Sequence, residues 1–216
     1  MKRLIVNADG FGFTLGCNKG VFEAIEKGIV SSVSINVNFP PAEEAILLQE
    51  RYPALSIGVH LNAIVGPPVS LPQEVQSLLD PATGEFLGGR EFTRRLTMGR
   101  IDRGELAREL TRQVELARRW GVRVSHIDSH QNRHLHPTYF PVFLEVGKQA
   151  GIMKMRTHSY FLLCREGISG RRRFYLRHPG RFLIHQLNRW NMARARRSGF
   201  LMADRNLAFT LLEKGA

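Results

Sequence analysis

Short apolar, β-branched runs alternate with helix-like segments along the first 160 residues, and this alternation limits the possible folds more than any other feature. The stretch "SSVSINVNF" alternates polar and apolar residues at period two, as a strand does. The stretch "DRGELARELTRQVELARRWG" repeats apolar residues at helical spacing and ends at Gly121, a typical helix stop. The predicted strands are Arg3–Asp9, Ser31–Phe39, Leu55–Asn62, a fourth beginning with "VSHID" at Val124, and Met153–Ser159.

Helices are predicted between these strands, and the Gly- and Pro-rich segment Val65–Arg90 is predicted as a long loop with room for one short helix. The predicted helices are Asn18–Lys27, Ala42–Arg51, the segment 102–121 and a helix that begins at Pro137. Strands and helices that alternate through right-handed crossovers form a parallel sheet, either open or closed into a barrel. Five strands are fewer than the usual eight of a (β/α) barrel.

Three features of the chain bear on its cellular compartment. No apolar run approaches the roughly 20 residues that a membrane span needs. The N-terminal segment reaches Asp9 after only four apolar residues, which is typical of a first strand and not of a signal peptide. Cys17 and Cys164 are too few for a disulfide framework. We therefore expect a cytoplasmic protein with one sizeable core.

The formal net charge is +12, and it is concentrated near the C-terminus. Ten arginines and a single acid, Glu166, lie between Arg165 and Ser198, interleaved with aromatic residues. A helix over 181–197 would carry Leu183, Leu187 and Trp190 on one stripe, which core packing explains most simply. The alternative is an interfacial helix, in which Arg165–Arg197 binds an anionic membrane surface. A solvated basic surface is equally ordinary, and nucleic acid is an unlikely partner because no nucleic-acid-binding motif accompanies the charge.

Polar side chains cluster at the predicted carboxyl ends of three strands, where parallel α/β folds bind their ligands. They are Asn7 and Asp9 on the first strand, His60 and Asn62 on the third, and His126, Asp128 and His130 on the fourth. Two imidazoles and a carboxylate suit a divalent metal that keeps open positions for water and substrate. Such a metal acidifies water and polarises a carbonyl group, and a neighbouring carboxylate can act as general base.

Each of these residues also has an ordinary structural interpretation. His60 could be a hydrogen-bonded core histidine, and Asp9 could cap the turn that follows it. Asp128 could orient a ligating histidine through a hydrogen bond, without binding the metal itself. His134 and His136, which precede Pro137, could be ordinary loop residues. The metal hypothesis therefore depends on the conjunction of three strand ends and not on any one side chain.

Four motifs together resemble a known family. The stretches "NADGFG", "GIVSSVSINVN", "LSIGVHLN" and "HIDSHQNRHLHP" occur in the order of the YdjC-like carbohydrate deacetylases, from about Lys2 to Gly151. This resemblance implies a distorted (β/α) barrel of the glycoside hydrolase/deacetylase type, a divalent metal (magnesium or zinc) and an N-acetylated amino-sugar substrate, either an oligosaccharide or a lipid-linked sugar. The fold class expected here is thus α/β, and five predicted strands would leave such a barrel incomplete.

The resemblance also assigns roles, residue by residue. The two histidine ligands of the family fall on His60 and His130, and its general base falls on Asp9. Its carboxylate ligand falls on Gly10, which has no side chain, so we expect weak or absent catalysis. A further family histidine falls on Asn132. Residues expected to support a ligand or to contact substrate are Asn7, Asp128 and His134, and His134 is also one guess for the acid that protonates the leaving amine.

The match weakens after Arg156, and the chain reaches Ala216 without the late strand motif of the family. We therefore expect a (β/α) catalytic-type region over 1–160, followed by an Arg-rich helical region over 161–216 that belongs to the same domain. Two alternatives to an active deacetylase stay open: a remnant that binds a sugar without turnover, and a basic module that binds a membrane surface or nucleic acid on the same scaffold.

Overall fold

A computed structural model describes residues 4–158 and 176–206. The chain divides into two compact units, Met1–Met153 and Lys154–Ala216. All of the candidate site residues named above lie in the first unit. The prediction of an Arg-rich region over 161–216 falls partly outside the described residues.

The first unit is built on a four-stranded parallel sheet in the order β1-β2-β3-β4. Its strands are β1 (Asn7–Phe11), β2 (Ser32–Ile35), β3 (Ser56–Leu61) and β4 (His126–Ser129). Its α-helices are α1 (Leu15–Glu26), α2 (Ala45–Arg51), α3 (Gly89–Thr97), α4 (Arg103–Arg119) and α5 (Tyr139–Gln149). Short 3₁₀ helices lie at Pro40–Glu44, Pro72–Glu74 and Gln76–Leu78, and an irregular one spans His130–Leu135.

Each strand of this sheet pairs with the next one along the chain, without a reversal of order. Sequential parallel pairing is the winding of a (β/α) barrel, whereas doubly wound sheets reverse their strand order. Within residues 4–158 and 176–206 the sheet does not close on itself. The expected α/β fold, with the strand winding of a distorted barrel, is therefore confirmed, and the incompleteness of the barrel stays a prediction.

The two faces of the sheet differ sharply in polarity. Val33 on β2 pairs in register with Ile57 on β3, and Val59 pairs with Ile127 on β4. These apolar side chains are buried on the face of the sheet that receives the helices, where α1 packs on β1 and α4 packs on β3. Because successive residues of a strand point to opposite faces, the intervening positions form a second, polar face. The residues of that face include Asn7, Ser34, Gly58, His60, His126 and Asp128.

Several element boundaries differ from the predicted ones. The first strand begins only at Asn7, and Leu4 and Ile5 before it are exposed. β2 ends at Ile35 because the chain turns there: the Asn36 side chain donates to the carbonyl groups of Asp9 and Phe11. α3 begins within the last two residues of the predicted loop and continues beyond it, and the sequence analysis missed it. The predicted fifth strand is reduced to one parallel bridge between Lys154 and Leu201, and its last residue, Ser159, lies outside the described residues.

The second unit contains α6 (Pro179–Arg197). Its buried stripe consists of Asn188, Asn191, Met192 and Ala195. The predicted core stripe is therefore wrong in part, because Leu183 and Trp190 are 68% and 50% exposed. Binding of this basic segment to an anionic membrane stays a prediction, and its portion before residue 176 lies outside the described residues. Among the described helices, none combines the length and the apolar character required to cross a bilayer.

Candidate metal centre

A chain of hydrogen bonds crosses the polar face of the sheet. The Asn7 Nδ2 group donates to Asp9 Oδ1 at 2.6 Å and to Ser34 Oγ at 3.0 Å. The Ser34 hydroxyl donates to Asp128 Oδ2 at 2.9 Å, and Asp128 Oδ1 lies 2.6 Å from His60 Nδ1. Residues from all four strands are thus connected, and the chain joins the predicted base, Asp9, to a predicted metal ligand, His60.

Gly58 makes the central step of this chain possible. It lies on β3 directly between Ser34 on β2 and His126 on β4, in register with both. A Cβ atom at Gly58 would overlap the His126 ring, only 2.5 Å from its Cδ2 and Cε1 atoms. With no side chain there, the His126 ring covers the β3 backbone, and Ser34 reaches both His126 Nε2, at 3.4 Å, and Asp128.

His60 and His130 face each other at the carboxyl end of the sheet. Their ring centroids are 5.5 Å apart and their planes meet at 77°. With metal–nitrogen bonds of about 2 Å, two imidazoles that share one tetrahedral cation have centroids about 5 Å apart. The observed spacing therefore suits a shared divalent ion. The Phe13 ring also packs against His130, edge to face, with centroids 5.4 Å apart.

The protonation of His130 also suits ligation. Burial lowers the pKa of His130 to about 4, and the neighbouring His60 and Arg133 act in the same direction. Its imidazole is therefore neutral at neutral pH, with a ring nitrogen that carries a lone pair. Metal binding requires a neutral imidazole, because a protonated ring has no lone pair to donate.

The turn after His130 has a strained backbone. Gln131 and Asn132 both have positive φ angles, of 51° and 56°, in the left-handed region that few residues other than glycine adopt. Asparagine tolerates this conformation better than most residues, which gives a physical reason for Asn132. The Arg133 guanidinium holds the turn by donating to Thr93 Oγ1 on α3 and to Gln131 Oε1. Such strain persists where the surroundings enforce it, and here it fixes the chain next to His130.

The other two histidines of the segment 130–136 support the scaffold. His134 is fully buried, with its ring stacked 4.3 Å from Phe143 and its Nδ1 atom 2.5 Å from Ser129 Oγ. His136 accepts a hydrogen bond from the Thr138 amide and contacts Thr97 Oγ1 at 3.2 Å. Because His134 is packed in the core, it supports the segment after β4, and its predicted role as a proton donor stays a prediction.

Two carboxylates and His60 form a cluster of possible metal ligands. Asp9, His60 and Asp128 each offer one ligand atom, and these atoms all lie within 4.8 Å of one another. Both oxygens of Asp128 already accept hydrogen bonds, one from Ser34 and one from His60. A carboxylate placed in this way orients a ligating imidazole, so that Nε2 is the nitrogen His60 can offer to a metal. The residues present therefore fit a divalent cation at Asp9, His60 and Asp128. The ring of His130 lies next to this cluster, and its role as a ligand stays a prediction.

Gly10, the position where the resemblance expects a carboxylate ligand, has free space around it. A Cβ atom built at Gly10 meets no atom within 4 Å. The first carbon of a side chain therefore fits at this position without displacing its neighbours. The next glycine, Gly12, is different: its φ is +98°, and a Cβ there would lie 2.8 Å from Ala42 Cβ. Gly12 forms the sharp turn that ends β1, and Gly10 has no such structural role.

Sequence analysis missed two contributors to the site, Ser34 and Gly58. A readable signal existed, since the polar residues of "SVSIN" repeat at period two on a strand of a parallel sheet. Parallel strands are usually apolar on both faces, so a regular polar face indicates a site. Asn62, by contrast, was included in the predicted clusters but forms a structural turn, where its side chain binds Asn38 and the Val65 carbonyl.

Comparisons with known proteins agree with the motifs. The YdjC-like protein family matches residues 3–214. A carbohydrate deacetylase from Thermoanaerobacter pseudethanolicus is 39% identical over 146 residues, which cover 68% of this chain and 57% of that protein. A chitooligosaccharide deacetylase from Serratia marcescens is 36% identical over 152 residues, which cover 70% of this chain and 58% of that protein.

A solved structure supports the same relationship. A candidate cellobiose-phosphate cleavage protein from Enterococcus faecalis superposes with a TM-score of 0.65 at 28% identity, covering 78% of this chain and 62% of that one. The chain thus spans somewhat more than half the length of the curated relatives it matches. The resemblance carried by the four motifs is confirmed. With a family match over nearly its whole length, this chain belongs to the YdjC-like protein family.

Proposed function

We propose that this protein is a metal-dependent hydrolase that removes the N-acetyl group of an amino sugar, and that the lack of a carboxylate at Gly10 weakens its activity. The names of the relatives, carbohydrate deacetylase and chitooligosaccharide deacetylase, support the reaction class. The single observation that carries the proposal is the pairing of His60 with His130 at 5.5 Å, beside the ligand cluster that contains Asp9.

In this proposal a divalent cation would be held by His60 and His130 and would supply a Lewis acid for the acetyl carbonyl group. Asp9 takes the proton from the water that attacks the carbonyl carbon, and a proton is passed to the amine as the C–N bond breaks and acetate leaves. Asn7 holds Asp9 in place through its Nδ2 group, at 2.6 Å. Asp128 holds the His60 ring through Nδ1. The half-buried Phe13 and Phe39, 5.0 Å apart, form an apolar wall next to His130.

Asp9→Asn tests the proposed base. The asparagine side chain keeps the shape of aspartate and can still accept from Asn7, but it cannot take a proton. We expect a loss of about 10²- to 10⁴-fold in acetate release from N-acetylated chitooligosaccharides, the usual contribution of a general base. Glu26→Gln is the matched control, because it removes an exposed carboxylate at the last residue of α1. Equal acetate release by wild type and Asp9→Asn would contradict the role of Asp9.

Gly10→Asp tests whether the missing carboxylate limits the site. Because the position has free space, the new side chain should add a ligand and one negative charge without distorting β1. We expect tighter Zn²⁺ binding by isothermal titration calorimetry, by about tenfold or more, on the scale at which metal-site residues affect affinity. We also expect faster acetate release.

Gly20→Asp is the control for this change, since it adds the same charge on α1 at a position that is equally free of neighbours. If both variants bind Zn²⁺ more tightly to the same extent, the gain is a general effect of charge and Gly10 has no special place in the site. A wild-type protein that binds Zn²⁺ and the sugar but releases no acetate, with or without Gly10→Asp, would instead favour a sugar-binding remnant.

A further inference from the structure

The hydrogen-bond chain on the polar face of the sheet has a serine at its centre. The Ser34 hydroxyl is the link between Asn7, which holds the proposed base Asp9, and Asp128, which holds the proposed ligand His60. Ser34 is fully buried and Asp128 is 1% exposed. Bulk water therefore cannot take over the contact between these two side chains.

The direction of each bond along this chain is determined by its chemistry. The Asn7 Nδ2 group only donates, so Ser34 Oγ accepts from it. Ser34 has a single hydroxyl hydrogen, which then points onward to Asp128. An ionised carboxylate only accepts, so Asp128 requires that His60 Nδ1 carry a hydrogen. His60 is left in the tautomer whose Nε2 atom has the lone pair that a metal needs.

We propose that Ser34 is a positioning residue, which orients the Asp128 carboxylate and through it selects the ring nitrogen that His60 offers to a metal. This inference rests on the proposed metal site but adds a residue for which the family motifs assign no role. Gly58 is required for this arrangement, because a Cβ atom there would overlap the His126 ring, which lies 3.4 Å from Ser34 Oγ. Without Ser34, the Asp128 carboxylate would lose an anchoring contact at Oδ2 and could rotate away from His60 Nδ1.

Ser34→Ala tests the inference with two measurements on the full chain. Long-range ¹H–¹⁵N NMR spectra of the metal-free protein report which nitrogen of His60 carries the hydrogen. We expect the wild type to show the Nδ1–H form, and Ser34→Ala to show a mixture of both tautomers. Calorimetry with Zn²⁺ should show binding weakened by about 10- to 100-fold, which is usual for residues that orient a ligating histidine.

Two matched variants separate positioning from a loss of structure. Ser34→Thr keeps the hydroxyl and suits a β-strand, so it should restore both the tautomer and the affinity. Ser32→Ala removes a buried hydroxyl from the same face of the same strand, two residues away, and should leave both unchanged. A single His60 tautomer together with wild-type Zn²⁺ affinity in Ser34→Ala would overturn the inference.

The two measurements also distinguish this inference from the proposed function. If the wild type binds no Zn²⁺ and Ser34→Ala still changes the His60 tautomer, the proposed metal site is wrong and the positioning role of Ser34 is upheld. If the wild type binds Zn²⁺ and releases acetate while Ser34→Ala matches it in both measurements, the function is upheld and the role of Ser34 is rejected.

Discussion

His60→Ala and His130→Ala should each weaken Zn²⁺ binding by more than about 100-fold. Residues that only hydrogen-bond to a metal ligand contribute up to about 100-fold, and a direct ligand should contribute more. The reason is the facing arrangement of the two rings, which lie 5.5 Å apart and at 77°. Removal of either ring leaves one imidazole beside the carboxylates of Asp9 and Asp128 in place of the paired rings. Calorimetry on the metal-free protein measures the change directly, without relying on catalytic activity.

His136→Ala is the control for these two variants. It removes an imidazole from the same histidine-rich segment, where His136 contacts Thr97 and the Thr138 amide. We expect wild-type Zn²⁺ affinity for this variant. If His130→Ala bound Zn²⁺ as tightly as wild type, the cation would instead be held by the cluster of Asp9, His60 and Asp128, and the paired-histidine site would be wrong.

Gly58→Ala should destabilise the fold by about 1–3 kcal/mol, which is usual for an extra carbon atom in a well-packed place. The new Cβ atom would overlap His126 Nε2 and lie 2.5 Å from two ring carbons, so the His126 ring has to move. That ring is held by Ser125 Oγ at Nδ1, at 2.8 Å, which makes the movement costly. Urea unfolding followed by circular dichroism gives the free energy of unfolding.

Two further variants test the cause of that loss. Gly10→Ala adds the same methyl group to the same sheet where no atom lies within 4 Å, so its free energy of unfolding should stay within about 0.5 kcal/mol of wild type. Gly58→Ala combined with His126→Ala removes the clash, so the combined loss should be smaller than the sum of the two single losses. Strict additivity of the two changes would show that the His126 ring does not account for the role of Gly58.

The fold was readable from the sequence where the patterns were long and regular. The segment 102–121 was predicted as a helix, and α4 spans Arg103–Arg119, with Asp102 as its N-cap, accepting from the Glu105 amide. β3 differs from its predicted bounds by one residue at each end. Predictions failed where tertiary contacts decide the outcome: β2 is shorter than predicted because the Asn36 side chain binds the β1 backbone. The buried stripe of α6 was predicted wrongly, because helical spacing identifies residues that share a face but not the face that packs against the rest of the protein.

For the site, residue type and position at a strand end were sufficient to select Asp9, His60 and His130 as candidates. The chemistry between them could not be read from one strand at a time. Ser34 and Asp128 are 94 residues apart and meet only through the register of three strands. The core packing of His134 likewise depends on Phe143, a residue of the following helix.

The division of the sheet into a polar face and a mainly apolar face also opposes misalignment of its strands. A one-residue slip of β4 would carry Asp128 into the helix-packed layer and expose Ile127 among hydrogen-bonding groups, since neighbouring positions point to opposite sides. The polar face and the apolar face of the sheet would both lose favourable contacts through this one slip. Most parallel strands, apolar on both sides, lack this double penalty, so a protein with such a site has its strand alignment enforced by its own chemistry.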